Sequence, residues 1–289
     1  MKDELVQFLS LKYGGIKSQY PGEGRRKWVL RALQDFWTSP PEPESSGTHG
    51  AVVVTDNFLD EEDDPFDELV DGPQLGLLVR TDFSDGQSWK SFCERLKSEE
   101  QDMVQAMQPP EPAPSTSTED ADVKMAGNDD GDDSDDESTD GLAAPIIIKI
   151  VEPVSEQEKT IFENISNLRA LRLLNDVDIR LAPTPPSGTK RFSPPNRLVD
   201  QKGWQEIYTG PTLWIYDAQS NKDQCARLVS QQGDIYGTAT GDSWRARVTH
   251  ICELQFNMTH LQMKIDFGGM DRYDYPERKR NLEEADSGV

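Results

Sequence analysis

Carboxylates at the carboxyl end of a parallel strand are where open α/β sheets hold metal ions and phosphoryl groups. The run from Leu75 to Leu96, LGLLVRTDFSDGQSWKSFCERL, puts Asp82 and Asp85 at such a place. The same residues have a plainer use. Aspartate and serine oxygens accept from the unpaired N–H groups of a helix's first turn, so Asp82, Ser84 and Asp85 read as helix caps. Capping is the favoured reading. DFSDG lacks the two-residue spacing of a phosphoryl-transferring aspartate pair, and no partner lysine or second acidic strand end accompanies it.

Other groups with chemical potential are scattered. Lys190, Arg191 and Arg197 form a basic loop, TKRFSPPNR, that invites an anion or one of the chain's own acidic tracts. Arg25, Arg26, Lys27 and Arg31 make a second basic stretch, either a partner or phosphate patch or, as is commoner, a solvated helix face. His250, Cys252, Cys225 and His260 supply zinc-type ligands without clustered spacing, and structural zinc wants four. Glu253, Asp266 and Asp271 would approach one another only if the last segments fold back. Cys93 falls on the apolar side of its helix, a poor place for a nucleophile. There is no P-loop, dinucleotide fingerprint or nucleophile elbow. No catalytic residue, metal or cofactor is expected. Ser117 and Ser134 have acids three residues downstream, Asp120 and Glu137, as acidophilic kinases accept.

The elements that must position these groups follow from apolar spacing. Leu75, Leu77, Leu78 and Val79 form a covered strand, and Trp89, Phe92, Cys93 and Leu96 share one face of the following helix. Leu5, Phe8 and Leu9 mark one amino-terminal helix, and Trp28, Ala32, Leu33 and Phe36 a second. Ile146, Ile147, Ile148, Ile150 and Val151 predict a buried central strand, and Glu156 to Leu174 a single helix. Asn175 to Gly203 reads as loop. Beyond it, Thr212 to Tyr216 and Trp244 to Val248 read as strands. The alternations Leu254, Phe256, Met258 and Leu261, Met263, Ile265, Phe267 predict two more, before a charged helix or tail over 271–289.

The fold class expected is α+β (α/β), a single mixed sheet flanked by helices. An amino-terminal helical segment spans 1–38, and a Pro/Ser-rich, acidic linker spans 39–72. The α/β domain covers 73–270, interrupted by a disordered acidic insertion over 108–142.

Charge is segregated. The formal net charge is −23 over 289 residues. Asp56 to Asp71 carries nine acids and no base, and Glu119 to Asp140 carries eleven acids against Lys124. That argues against direct nucleic-acid binding. Phe58, Leu59 and Phe66 sit among the first set of carboxylates, the composition of segments that order on a partner. No apolar run reaches the ~20 residues of a membrane span. An acidic amino terminus without a cleavage-like site and three unpaired cysteines point to a cytoplasmic or nuclear protein.

The blocks LLVRTDFSDGQSW (Leu77 to Trp89) and WRARVTHICELQFNMTHLQMKIDFGGMD (Trp244 to Asp271) resemble a family of small uncharacterised domains of bacteria and fungi. Its members open with a strand, RTDFSD and a Trp-bearing helix. The resemblance implies an architecture and no catalytic residue. It covers about half the chain.

Two functions are compatible with these residues. One is a non-catalytic interaction or accessory protein that docks a basic protein through its acidic tracts, with Phe58, Leu59, Phe66, Trp28, Arg25 and Arg26 as contact candidates. The alternative is an enzyme or small-ligand protein whose site lies near Asp82, Asp85, Lys190, Arg191 and Arg197.

Overall fold

The computed structural model describes residues 2–43, 63–107, 146–188, 193–268 and 274–287. Phe58, Leu59, Ser117, Ser134, Lys190, Arg191 and Asp271, with residues 56–62 of the first acidic tract and the whole of the second, lie outside them.

The centre is β1 (Gly76–Arg80), buried along its whole length. It pairs in parallel with β2 (Ile148–Val151) on one side and with β5 (Thr212–Tyr216) on the other. Beyond β5 the sheet turns antiparallel through β6 (Cys225–Val229) and β7 (Ser243–Arg247), giving the order β2-β1-β5-β6-β7. Both faces of the sheet are covered, which is why β1 is uniformly apolar rather than alternating. Leu77, Val79, Leu213 and Ile215 face one core, and Leu78, Trp214 and Tyr216 face the other. An architecture of one mixed sheet flanked by helices is therefore present. A two-stranded antiparallel ribbon, β3 (Asp176–Leu181) with β4 (Trp204–Thr209), stands beside it.

The first core is closed by α1 (Asp3–Gln19), α2 (Arg25–Thr38) and α6 (Asn167–Leu174), which bring Leu5, Leu9, Leu33, Phe36, Leu168 and Leu171 onto it. The second is closed by α4 (Gly86–Met107) and α8 (Val248–His260). Between α2 and β1, the short α3 (Asp67–Val70) leans Phe66, Leu69 and Val70 on the first core. Burying a large apolar side chain is worth about 1.5–3 kcal/mol, so these two layers hold the sheet in place.

Several expectations give way. The Ile-rich stretch at 146–151 forms an edge strand, not a central one, among the described residues: there β2 pairs with β1 alone, and Ile146 is 47% exposed. Glu156 to Leu174 is two helices, α5 (Glu156–Phe162) and α6. Asn164 takes a left-handed φ of 50°, and Ser166 then starts the new helix by accepting from Arg169 N–H at 3.1 Å. Within the stretch expected to be loop lies β3. The alternation at Leu254, Phe256 and Met258 is incidental to a helix. Val248, Ile251, Cys252 and Gln255 are the buried set, at i, i+3, i+4 and i+7. No strand follows α8 over 261–268. Gly76 shows how tightly α8 meets the sheet, because a Cβ there would come within 2.7 Å of Gln255 Oε1.

The chain's last helix, α9 (Tyr275–Ser287), is docked across the amino end of α6. Ser220–Asp223 forms the remaining short helix, α7.

Candidate functional site

The turn after β1 is where chemistry was expected, and hydrogen bonds already occupy its carboxylates. Asp85 caps α4: its Oδ1 accepts from Gln87 N–H at 3.0 Å and Ser88 N–H at 2.9 Å, and its Oδ2 from the Ser88 hydroxyl at 2.9 Å. The Ser88 N–H and hydroxyl hold the carboxyl below the usual carboxylate range. Asp82 accepts from Ser84 N–H at 3.1 Å, from the Ser84 hydroxyl at 2.5 Å and from the Asn221 amide at 2.8 Å. Burial pushes Asp82 up, and the bonds from Ser84 and Asn221 outweigh it. Asn221 in turn accepts from Tyr216 Oη at 2.6 Å. The carboxyl ends of β1 and β5 are thus laced together.

Arg80 closes the same end. It ion-pairs with Glu152 at 2.7 Å, donates to the Asp82 carbonyl at 2.9 Å, and lies over the rings of Phe83 and Trp89. Its charge is spent locally.

Arg197 does not belong with Asp82 and Asp85. It is buried against Glu206, Nε to Oε2 3.2 Å. Glu206 is fully buried and also meets Arg172 at 3.7 Å, Tyr208 Oη at 2.6 Å and Trp37 Nε1 at 3.0 Å. Burial raises the Glu206 carboxyl, but Arg197 and Arg172, with the hydrogen bonds from Tyr208 and Trp37, leave it below its ordinary value. The cluster ties α2, α6 and β4 together.

The expected partner-facing side chains are likewise turned inward. Trp28 is buried, its indole donating to Tyr20 O at 2.8 Å. Arg26 is 6% exposed, so the solvated-face reading fails for it. It pairs with Asp64 at 3.0 Å and Asp67 at 2.8 Å, while Arg25 pairs with Asp176 at 2.7 Å. Phe66 packs edge-on to Phe162, centroids 6.3 Å apart. The end of the first acidic tract is therefore folded onto α2. Nothing in the sequence pattern marked these acids as that helix's partners.

The sulfur and imidazole groups stay apart. His250 and Cys252 lie two residues apart on α8, so their side chains leave different sides of the helix. Among the described residues no three His, Cys, Asp or Glu side chains group as metal ligands. Burial pushes the Cys93 and Cys252 thiols up to about 12, away from the thiolate.

On the far side of the ribbon, sequence reasoning missed a groove of about 920 Å³. Arg180 and Leu181 of β3 line it together with the 230–238 loop, Met258 of α8 and Met263, Ile265 and Phe267 beyond it. Its lining comes from four separate stretches, so no local pattern announces it.

Comparison with protein-family models, with curated proteins and with solved structures finds no match. No helix among the described residues is long and apolar enough to cross a membrane.

Proposed function

We propose that the chain is a non-catalytic interaction protein that docks a basic protein partner through the acidic tract Glu119 to Asp140. One observation carries this reading: the charged groups best placed for chemistry or recognition are bonded within the molecule. Asp82 and Asp85 cap and lace the β1 turn, Arg197 neutralises Glu206, and Arg25 and Arg26 take up Asp64, Asp67 and Asp176. The largest block of charge without such matching in the sequence is the second tract, eleven acids against one lysine. Charge of that density attracts basic surfaces over a Debye length of about 8 Å at physiological salt.

The test is affinity purification of the full chain from its own cells at low and high salt, beside a variant lacking 119–140. The first tract is kept in both, because Asp64, Asp67 and Phe66 hold the fold. A basic protein retained at low salt, released at high salt and lost with the tract supports the reading. A partner set indifferent to the deletion refutes it.

A further inference from the structure

Each serine or threonine that precedes a proline in this chain is followed by a second proline as well. The three sites are Ser39-Pro40-Pro41, Thr184-Pro185-Pro186 and Ser193-Pro194-Pro195, and they use three of the four Pro-Pro pairs in the sequence. The structure separates them. Ser39 ends α2: its N–H donates to Phe36 O at 3.2 Å, Pro40 is buried, and Pro41 O accepts from Trp204 Nε1 at 2.7 Å. Ser193 is exposed, but the four residues before it lie outside the described ones.

Of the three, Thr184 stands in a described run that is both open and unbonded. It follows β3, whose last link to the ribbon is Ala182 N–H donating to Gly203 O at 2.8 Å. Thr184, Pro186, Ser187 and Gly188 are exposed, and Pro183 and Pro185 are half-buried. From Pro183 to Gly188 neither backbone nor side chain makes a hydrogen bond among the described residues. The run is nevertheless held extended. Proline fixes its own φ at about −65° and bars the residue before it from the helical region, so Pro183, Pro185 and Pro186 set the backbone from Ala182 onward. An extended backbone with free N–H and C=O groups is the form in which a peptide enters a partner's cleft, and here most of the ordering entropy is already lost.

We propose that Thr184 is a phosphorylation site for a serine/threonine kinase that selects proline after its target. Such selection has a physical basis. Pro185 brings no N–H, so a kinase pocket without an acceptor at that place takes proline and leaves any other residue with a buried, unpaired donor. In the transfer, Thr184 Oγ1 attacks the γ-phosphorus of ATP, the bond from that phosphorus to the β,γ-bridging oxygen breaks, ADP leaves, and the hydroxyl proton passes to the kinase's catalytic carboxylate. The phosphothreonine carries a charge of roughly −1.5 to −2 at pH 7. It sits at the end of the β3–β4 ribbon, beside the turn that carries the exposed Lys202. The acidic tract 119–140 supplies permanent charge, whereas Thr184 supplies charge that is added and removed on the folded part of the chain.

The experiment is mass spectrometry of the full chain purified from its own cells with phosphatase inhibitors present. Trypsin releases 181–190 as one peptide, in which fragment ions distinguish Thr184 from Ser187 and Thr189. The proposal expects phosphate on Thr184, retained in Thr184→Ser, lost from that position in Thr184→Ala, and reduced at least threefold in Pro185→Ala, whose acceptor hydroxyl is intact. All three variants should melt with wild type, because the run makes no hydrogen bonds, so a change in phosphate does not report misfolding. Ser39, with its buried proline, should carry less phosphate than Thr184. The proposal is overturned by an unmodified 181–190 peptide, by phosphate on Ser187 or Thr189 in place of Thr184, by occupancy that Pro185→Ala lowers less than threefold, or by Ser39 modified as fully as Thr184 or more.

Discussion

Asn221 donates its side-chain amide to Asp82 Oδ1 at 2.8 Å, joining the turn that leaves β1 to the short helix that follows β5. The bond fixes the two loops at the carboxyl end of the parallel strands, the region where α/β folds usually keep a ligand. A double-mutant cycle with Asp82→Ala and Asn221→Ala should return a coupling of about 1 kcal/mol, the net worth of one such bond. Additive losses in urea unfolding would mean the loops are not joined through this pair.

Glu206 has no exposed surface and answers Arg197 and Arg172. Removing it leaves two buried guanidiniums uncompensated, which costs roughly 3–5 kcal/mol. Glu206→Ala is therefore expected to unfold at much lower denaturant than wild type. Glu206→Gln, which keeps the hydrogen-bonding shape, should fall between them. A loss below about 1 kcal/mol for the alanine variant would contradict the clustering role.

Helix α9 caps α6 from outside. Glu277 Oε1 accepts from Asn167 N–H at 2.7 Å, Asn281 Oδ1 accepts from Leu168 N–H at 3.2 Å, and Ser166 donates to Glu284. Joint Glu277→Ala and Asn281→Ala replacement should raise amide exchange at Asn167 and Leu168 by about tenfold or more, the equivalent of ~1.4 kcal/mol. Protection unchanged at those amides would show that α6 ends are satisfied otherwise.

Asp242 offers a pH signature. Burial pushes its carboxyl up to about 6, with Arg278 at 3.0 Å opposing. In the unfolded chain it titrates near ~3.9. Between those values the folded state holds more protons, so this group's stabilising contribution is full below about 4 and lost as pH rises through about 6. Asp242→Asn should therefore gain on wild type across that window, by up to about 3 kcal/mol at pH 7. The measurement is the difference in unfolding free energy between the two proteins at pH 4 and pH 7. A difference that stays constant, or runs the other way, would refute the shift.

The legible parts of the molecule were those whose signals are local. Leu77 to Val79 were apolar because both sheet faces are covered, and Asp85 preceded an amphipathic run because it caps it. The illegible parts depend on partners far away in sequence. Ile146 to Val151 read as central because isoleucine content reports burial on faces and says nothing about a second neighbouring strand. In α8, a buried Gln255, bonded to Trp214 Nε1 at 2.9 Å and to Leu75 O at 2.9 Å, broke the apolar stripe and left an alternation that mimicked strands. The basic run at Arg25 and Arg26 resembled a free face because its acids lie about forty residues on, in a tract that reads as linker. Arg197 shows the same limit, since its partner Glu206 comes from a neighbouring strand.

Thermal unfolding of wild type, Asp82→Ala and Asp85→Ala, each with and without a panel of divalent cations and phosphate compounds, tests most directly whether the β1 turn is scaffold. The account predicts that each variant melts a few degrees lower, as loss of a cap requires, and that no compound shifts any of the three. A cation or phosphate compound that raises the wild-type midpoint, and does so no longer once either aspartate is replaced, would show a ligand site at the mouth of the sheet and contradict a non-catalytic role.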